Sequence, residues 1–265
     1  MENYLEINRA SWNAKVEPHL KSDFYFLDEF LKGRTSLNSI ERELLGDLLG
    51  MKVLHLQCHF GQDSISLSRF GAEVTGIDLS DKAIEEAKKL AEICETDTKF
   101  ICPDVYNLPN VLDEKFDIVF TSYGTIGWLP DLDRWAKVVS HFLKPNGKFV
   151  FVEFHPVVWM FDDDFKEIGY NYFNTGAITE TFEGTYADRE ADIKQEYVNW
   201  NHGLGEVLQS LLTNGLDIDS FQEFDYSPYP CFKNVNEFEK GKFRIAHLDS
   251  KIPMVYALQA TKKSN

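Results

Sequence analysis

The chain has 265 residues, 43% of them apolar and 26% charged, the proportions of an ordinary globular protein large enough to build its own core. Its 27 basic and 43 acidic residues leave a net charge of −16, a field that repels phosphate backbones and anionic lipid heads. Nucleic acid and membrane surfaces are therefore not expected partners, whereas neutral or cationic small molecules are. The cysteines (Cys58, Cys94, Cys102, Cys231) show no CxxC spacing and read as reduced thiols. The opening MENYLEINRASWNAK has no apolar h-region, and no apolar run approaches a membrane span. A soluble, cytoplasmic protein is expected.

The first 50 residues look helical and aromatic-rich. In SLNSIERELLGDLLG, Ile40, Leu44, Leu45 and Leu48 recur at helical spacing, with Gly50 as the stop. Short apolar runs then alternate with amphipathic stretches. Strands are expected at 51–57, 73–77, 99–102, 117–121 and 148–153. Helices are expected before Gly71, over 81–94 behind an N-cap at Ser80, and over 132–143. This rhythm predicts a doubly wound parallel sheet of the Rossmann-like α/β class, with helices on both faces.

After Glu153 the rhythm breaks. Residues 154–202 hold eleven aromatics, among them Trp159, Tyr170, Tyr186 and Trp200, without βα alternation. A helix over 204–213, a strand near 216–224 and a last strand over 254–261 complete the chain. No helix separates the last two strands, so they should pair antiparallel. The organisation expected is a single domain over 1–265. It comprises a helical cap (1–50), a ligand-binding core (51–153), an insert covering substrate (154–202) and a closing helix with antiparallel strands (203–265).

Ligands of open α/β sheets bind beyond the carboxyl ends of the strands. Here those ends are Leu56-Gln57-Cys58-His59-Phe60-Gly61-Gln62-Asp63 and Gly76-Ile77-Asp78-Leu79-Ser80. Asp78 lies 17 residues beyond Gly61, the right distance for a carboxylate that binds a ribose diol. The pairing suits an adenosyl ligand, either a nicotinamide dinucleotide or S-adenosylmethionine. A pyrophosphate needs a GxGxxG turn, and this loop carries only Gly61. S-adenosylmethionine, with no phosphate, needs one close backbone approach and is the better fit.

The segments VLHLQCHFGQD, VTGIDLS, ICPDVYNLP, FDIVFTSYGTIGW and LKPNGKFVFVE occur in order, and together they resemble the motifs of class I S-adenosylmethionine-dependent methyltransferases. The resemblance runs from about residue 36 to 153 and more loosely beyond. It implies a seven-stranded sheet whose last strand is antiparallel. By position it implies that Asp78 binds the ribose hydroxyls, Asp104 with Val105 meets the adenine, and Ser122 with Tyr123 lies beneath the methionine part. The sequence departs from the pattern at His55, where an acid is usual, and at Gln57 and His59, where glycines are usual. Asp63, opening the next helix, would supply the missing carboxylate.

The remaining candidates each have a plain structural reading too. His55, Cys58 and His59 are metal ligands by type, but no second cluster stands at suitable spacing, so no metal is expected. His155 and His202 are the candidates for a general base; otherwise one is a structural histidine beside Pro156 and the other caps a helix. Trp12, Phe24, Tyr25 and Phe26 would lid the cofactor or staple the first helices to the sheet. Asp162-Asp163-Asp164 reads as a solvated loop. The insert's aromatics would cover a small-molecule methyl acceptor, or else pack over the sheet edge or form a homodimer contact. An enzyme transferring methyl groups to a small molecule is the function expected. The alternative is a non-catalytic module that binds an adenosyl ligand and uses the insert to contact proteins.

Overall fold

The computed structural model describes residues 3–264. A helical N-terminal region, α1 (Tyr4–Lys21), α2 (Leu27–Leu31) and α3 (Ser39–Leu45), leads into β1 (Lys52–Leu56). Then come α4 (Gln62–Arg69), β2 (Glu73–Ile77), α5 (Asp81–Ile93), β3 (Lys99–Ile101), β4 (Phe116–Ser122), α6 (Leu132–Phe142) and β5 (Leu143–Phe154). The remainder is β6 (Ile178–Glu183), β7 (Lys194–Asn199), α7 (Leu204–Thr213), β8 (Leu216–Phe224), β9 (Val235–Glu239), β10 (Lys242–Ile245) and β11 (Val255–Lys262). Helix α3 stops one turn earlier than its apolar spacing suggests. Gly46, at φ +69°, turns the chain out of the helix, and Leu48 reaches the core from the loop beyond.

Seven strands form one sheet in the order β3-β2-β1-β4-β5-β11-β8. The first five are mutually parallel, and β11 runs antiparallel to both β5 and β8. The pleat sends alternate residues of each strand to opposite faces, and because both faces are covered by helices both sets are apolar. Leu54, Leu56, Phe149 and Phe151 pack with Trp135 and Phe142 of α6 and Leu211 of α7. Val53, Phe120 and Val150 pack with Leu45 of α3 and Leu67 of α4 on the other face. Ser80 caps α5, its hydroxyl accepting the Ala83 N–H at 3.0 Å.

The stretches without βα rhythm are not irregular throughout. β6 and β7 form an antiparallel hairpin within the insert, and β9 and β10 form a second one before the last strand. The insert hairpin is tied to the N-terminal region through the buried Asn8 of α1. Its side chain donates to the Val198 carbonyl and accepts the Val198 N–H, both at 2.8 Å, so it completes the open edge of β7 like one residue of a further strand.

Candidate active site

A cleft of about 1620 Å³ opens at the carboxyl ends of β1, β2, β4 and β5. It is roofed by α1, by a short turn at Asp23–Tyr25, by the β6–β7 hairpin and by the loop around Tyr229–Phe232. Typical small-ligand pockets measure roughly 300–1,000 Å³, so this one has room for two molecules side by side.

The floor begins with the β1–α4 loop. Gln57 (φ +55°), His59 (φ +50°) and Gly61 (φ +83°) all adopt the left-handed conformation. The backbone therefore keeps the turn that glycines usually make, although two of the three positions carry side chains. That costs on the order of 1 kcal/mol at each, and both side chains are engaged. Gln57 donates to the Thr125 carbonyl at 2.8 Å, and the His59 ring meets His19 of α1, Nε2 to Nδ1, at 2.9 Å. A Cβ on Gly61 would stand 2.6 Å from the Phe100 ring and 2.9 Å from Ala87 Cβ. Glycine is required there by the packing of loop against α5 and β3, as well as by its φ.

Asp78 ends β2. One carboxylate oxygen accepts the His59 N–H and the other the Ser80 N–H, both at 2.8 Å. Burial pushes its carboxyl up to about 6, with the surrounding backbone amides opposing the rise. Each oxygen keeps a lone pair for a ligand hydroxyl. Leu79, Asp104 and Val105 line the same end of the cleft, where Asp104 also caps a short helical turn by accepting the Asn107 N–H at 3.1 Å.

The other end is polar and phenolic. Asp63 is raised by burial against the pull of the Ser36 and Ser122 hydroxyls. Tyr123, itself at φ +47°, donates to the buried Glu41 at 2.9 Å. Glu41 is pushed up to about 7 by burial and by the nearby charge of Asp63. Above them the Tyr25 and Tyr186 hydroxyls meet at 2.5 Å, and Phe24 stacks on Tyr229 with centroids 5.8 Å apart. The N-terminal cap, the insert and the loop before β9 are thus joined across the cleft by rings. Of the eleven aromatics of residues 154–202, all except Tyr172 and Phe173 line the cleft.

The sequence-predicted residues Gln57, Cys58, His59, Gly61, Asp63, Asp78, Leu79, Asp104, Val105, Ser122 and Tyr123 converge on the cleft wall. Leu56 does not. Its side chain is fully buried in the α6/α7 face, because strand alternation turns it away from the loop that follows. His155 is also misplaced as a general base. Nδ1 accepts the Val157 N–H at 3.2 Å and Nε2 faces Glu223 of β8 at 2.9 Å, outside the cleft. His202 reaches the cleft wall, but Nε2 is held by the Leu129 carbonyl at 2.8 Å and Nδ1 by Glu206 at 3.0 Å. It is a tether for α7, with no nitrogen turned to a substrate. His55 bonds Ser64 of α4 at 2.8 Å, and among the described residues no group of three metal-ligating side chains forms. Asp162 accepts the Lys166 and Glu167 amides at 2.7 and 3.0 Å and Asp164 pairs with Lys166, while Asp163 pairs with Lys233 at 3.0 Å.

Two contributors escaped sequence reading. Glu153, at the end of β5, accepts the backbone N–H groups of Gly124 and Thr125 (the latter at 2.7 Å) and the Thr125 hydroxyl at 2.9 Å, thereby shaping the loop after β4. Its signal was a carboxylate closing an otherwise apolar strand, FVFVE. The other is the polar part of the inner face of α1, where Asn8, Lys15 and His19 flank the expected Trp12 at spacings of four, three and four. That face is buried yet mostly polar, which an apolar-periodicity search passes over.

Residues 53–147 match the family model described as a methyltransferase domain. A ubiquinone biosynthesis O-methyltransferase of Coxiella burnetii is 34% identical over 115 residues, covering 43% of this chain and 47% of that protein. The chain thus spans about half the length of the curated relatives it matches at that identity. An uncharacterised methyltransferase of Bacillus subtilis is 23% identical over 234 residues, 82% of this chain and 89% of its own. Among solved structures, a putative S-adenosylmethionine-dependent methyltransferase from Listeria monocytogenes shares the fold. Its TM-score is 0.59 at 22% identity, over 84% of this chain and 96% of that one. Residues 53–147 thus carry the sequence of a methyltransferase domain, and the chain has the fold of solved S-adenosylmethionine-dependent methyltransferases.

Proposed function

We propose that this protein transfers a methyl group from S-adenosylmethionine to a small-molecule acceptor. The observation that carries the reading is the cleft, which sets a buried ribose-type carboxylate, Asp78, at one end of a space large enough for a cofactor and a second molecule. The donor set suits this cofactor. The α4 N-terminus carries Asp63 where a pyrophosphate would meet repulsion, while a sulfonium and an ammonium meet an acidic wall.

In this reading Asp78 accepts the two ribose hydroxyls, and Leu79, Asp104 and Val105 border the adenine. Gln57, Cys58, His59 and Gly61 give the backbone edge, and Asp63, Ser122 and Tyr123 face the amino-acid end. The cofactor, when bound, supplies an electrophilic methyl group on sulfur. The protein's part is to hold the two molecules in line and exclude water, which the aromatic roof does. The roof residues of 154–202 and Tyr229–Phe232 are the cover for the acceptor, and their apolar character fits a small molecule. The net charge of −16 argues against a nucleic-acid acceptor, and four free cysteines suit the cytoplasm.

Calorimetry with S-adenosylhomocysteine and NAD tests the cofactor assignment. Binding of the first without the second is expected, and the reverse would overturn it. Incubation of the protein with methyl-labelled S-adenosylmethionine and a metabolite extract then tests activity. Label in the small-molecule fraction is expected; tight cofactor binding with no label transferred would favour a non-catalytic adenosyl-binding module.

A further inference from the structure

Lys15 is the exception in this acidic protein. It projects from the middle of α1 into the roof of the cleft and is only 6% exposed. Its ammonium lies 4.4 Å from the Trp12 ring centroid, 5.1 Å from that of Trp128 and 5.6 Å from that of Tyr197. The three rings come from three segments: α1, the loop after β4, and β7. They are mutually packed, Trp12 to Trp128 at 5.2 Å and Trp128 to Tyr197 at 5.6 Å, so the box is built rather than incidental. Such faces stabilise a cation without neutralising it.

What the box lacks is an anion. Among the described residues no carboxylate lies within ion-pair distance of Lys15, in a chain with 43 acids. The other groups facing it are the imidazoles of His19 and His59 and the Tyr197 phenol, none of them an anion in this setting. Burial, with no anion beside it, draws its ammonium down to about 8. A buried charge without a partner is expensive, and an aliphatic side chain would fill the same space at lower cost. Its presence makes sense if the partner arrives with a ligand.

We propose that Lys15, held by Trp12, Trp128 and Tyr197, is an anion subsite of the cleft that receives a carboxylate group. The proposal deepens the methyltransferase reading, which supplies two sources for that group: the amino-acid end of the cofactor, or a carboxylate carried by the methyl acceptor. Lys15 stands over Trp12, which packs on His59 of the β1–α4 loop, and over Tyr197 of the insert, so it lies between the two.

The test uses the full chain, Lys15→Met and Lys15→Arg, and three probes: S-adenosylhomocysteine, methylthioadenosine (the same nucleoside without the amino-acid carboxylate), and benzoate added to protein saturated with methylthioadenosine. Loss of a charge-assisted hydrogen bond should weaken carboxylate binding about tenfold or more, and Arg should restore part of it. A loss confined to S-adenosylhomocysteine, with methylthioadenosine unchanged, assigns the subsite to the cofactor. A loss confined to benzoate assigns it to the acceptor. The unliganded Met variant should melt no lower than the parent, since an uncompensated charge has gone, whereas a merely structural lysine would leave a less stable protein on replacement. Parental affinity of the Met variant for both carboxylate probes, or equal loss for methylthioadenosine, would overturn the subsite. Failure of the parent to bind either nucleoside would instead overturn the methyltransferase reading, and the benzoate titration, then run on the protein alone, still decides Lys15.

Discussion

Replacing Asp78 by alanine tests the proposed ribose contact apart from the loop brace that its carboxylate forms with the His59 and Ser80 amides. Two hydrogen bonds from ribose hydroxyls to a buried carboxylate are worth roughly 1.5–3 kcal/mol each, so Asp78→Ala should weaken S-adenosylhomocysteine binding by about a hundredfold or more. The effect on stability is smaller, because two terms oppose. Removing the carboxylate orphans the His59 and Ser80 amides, at roughly 1–3 kcal/mol each. It also removes a carboxyl that burial has raised from 3.8 to about 6, a penalty on the charged form of about 3 kcal/mol at neutral pH. The melting temperature should therefore move by only a few degrees.

The pH dependence gives a second handle on the same residue. A raised carboxyl takes up its proton as pH falls through about 6, and the protonated form is the poorer acceptor for hydroxyl donors. Parental affinity should decline below pH 6, whereas that of the alanine variant should not follow the same titration. Calorimetry at pH 5 and pH 7.5 on both proteins measures it. A folded Asp78→Ala protein with parental affinity at pH 7.5 would remove Asp78 from the site.

Two further substitutions probe the frame. Gly61→Val forces a branched side chain into a left-handed position and against Phe100, at a cost of roughly 1–2 kcal/mol for the backbone and 1–3 kcal/mol for overpacking. The unliganded variant should melt several degrees lower, and a parental melting temperature would show that Phe100 and Ala87 do not confine this position. Asn8→Ala strips both hydrogen bonds from Val198 and loosens α1 from β7, so stability should fall by roughly 2–4 kcal/mol and S-adenosylhomocysteine affinity with it. Unchanged melting and affinity together would refute the role of α1 as a roof anchored through the insert.

The order of strands and helices up to Glu153 was legible because its signals are local. Apolar runs bounded by turn residues mark β1 to β5, and a serine cap with Ile84, Ala87 and Ala91 on one face marks α5. The β1–α4 loop and Asp78 were legible for the same reason, since a strand end and the residue after it are fixed by the strand itself. The two hairpins were not. The β6 sequence ITETFE does alternate, but its apolar side chains are only half-buried and the ten residues joining it to β7 carry no tight-turn signal.

The sequence by itself determined the doubly wound core and the wall of the cleft built from its loops, since backbone hydrogen bonding and alternate burial leave few other outcomes for such a pattern. Only the tertiary structure decided what the side chains do. It turned Leu56 into the core and His155 out toward Glu223, and it left Gln57 and His59 in a glycine-like turn. It also brought Trp12, Trp128 and Tyr197 around Lys15, residues as much as 185 positions apart. Such contacts form between elements that are distant in the chain, and their energies depend on distances that no local pattern encodes.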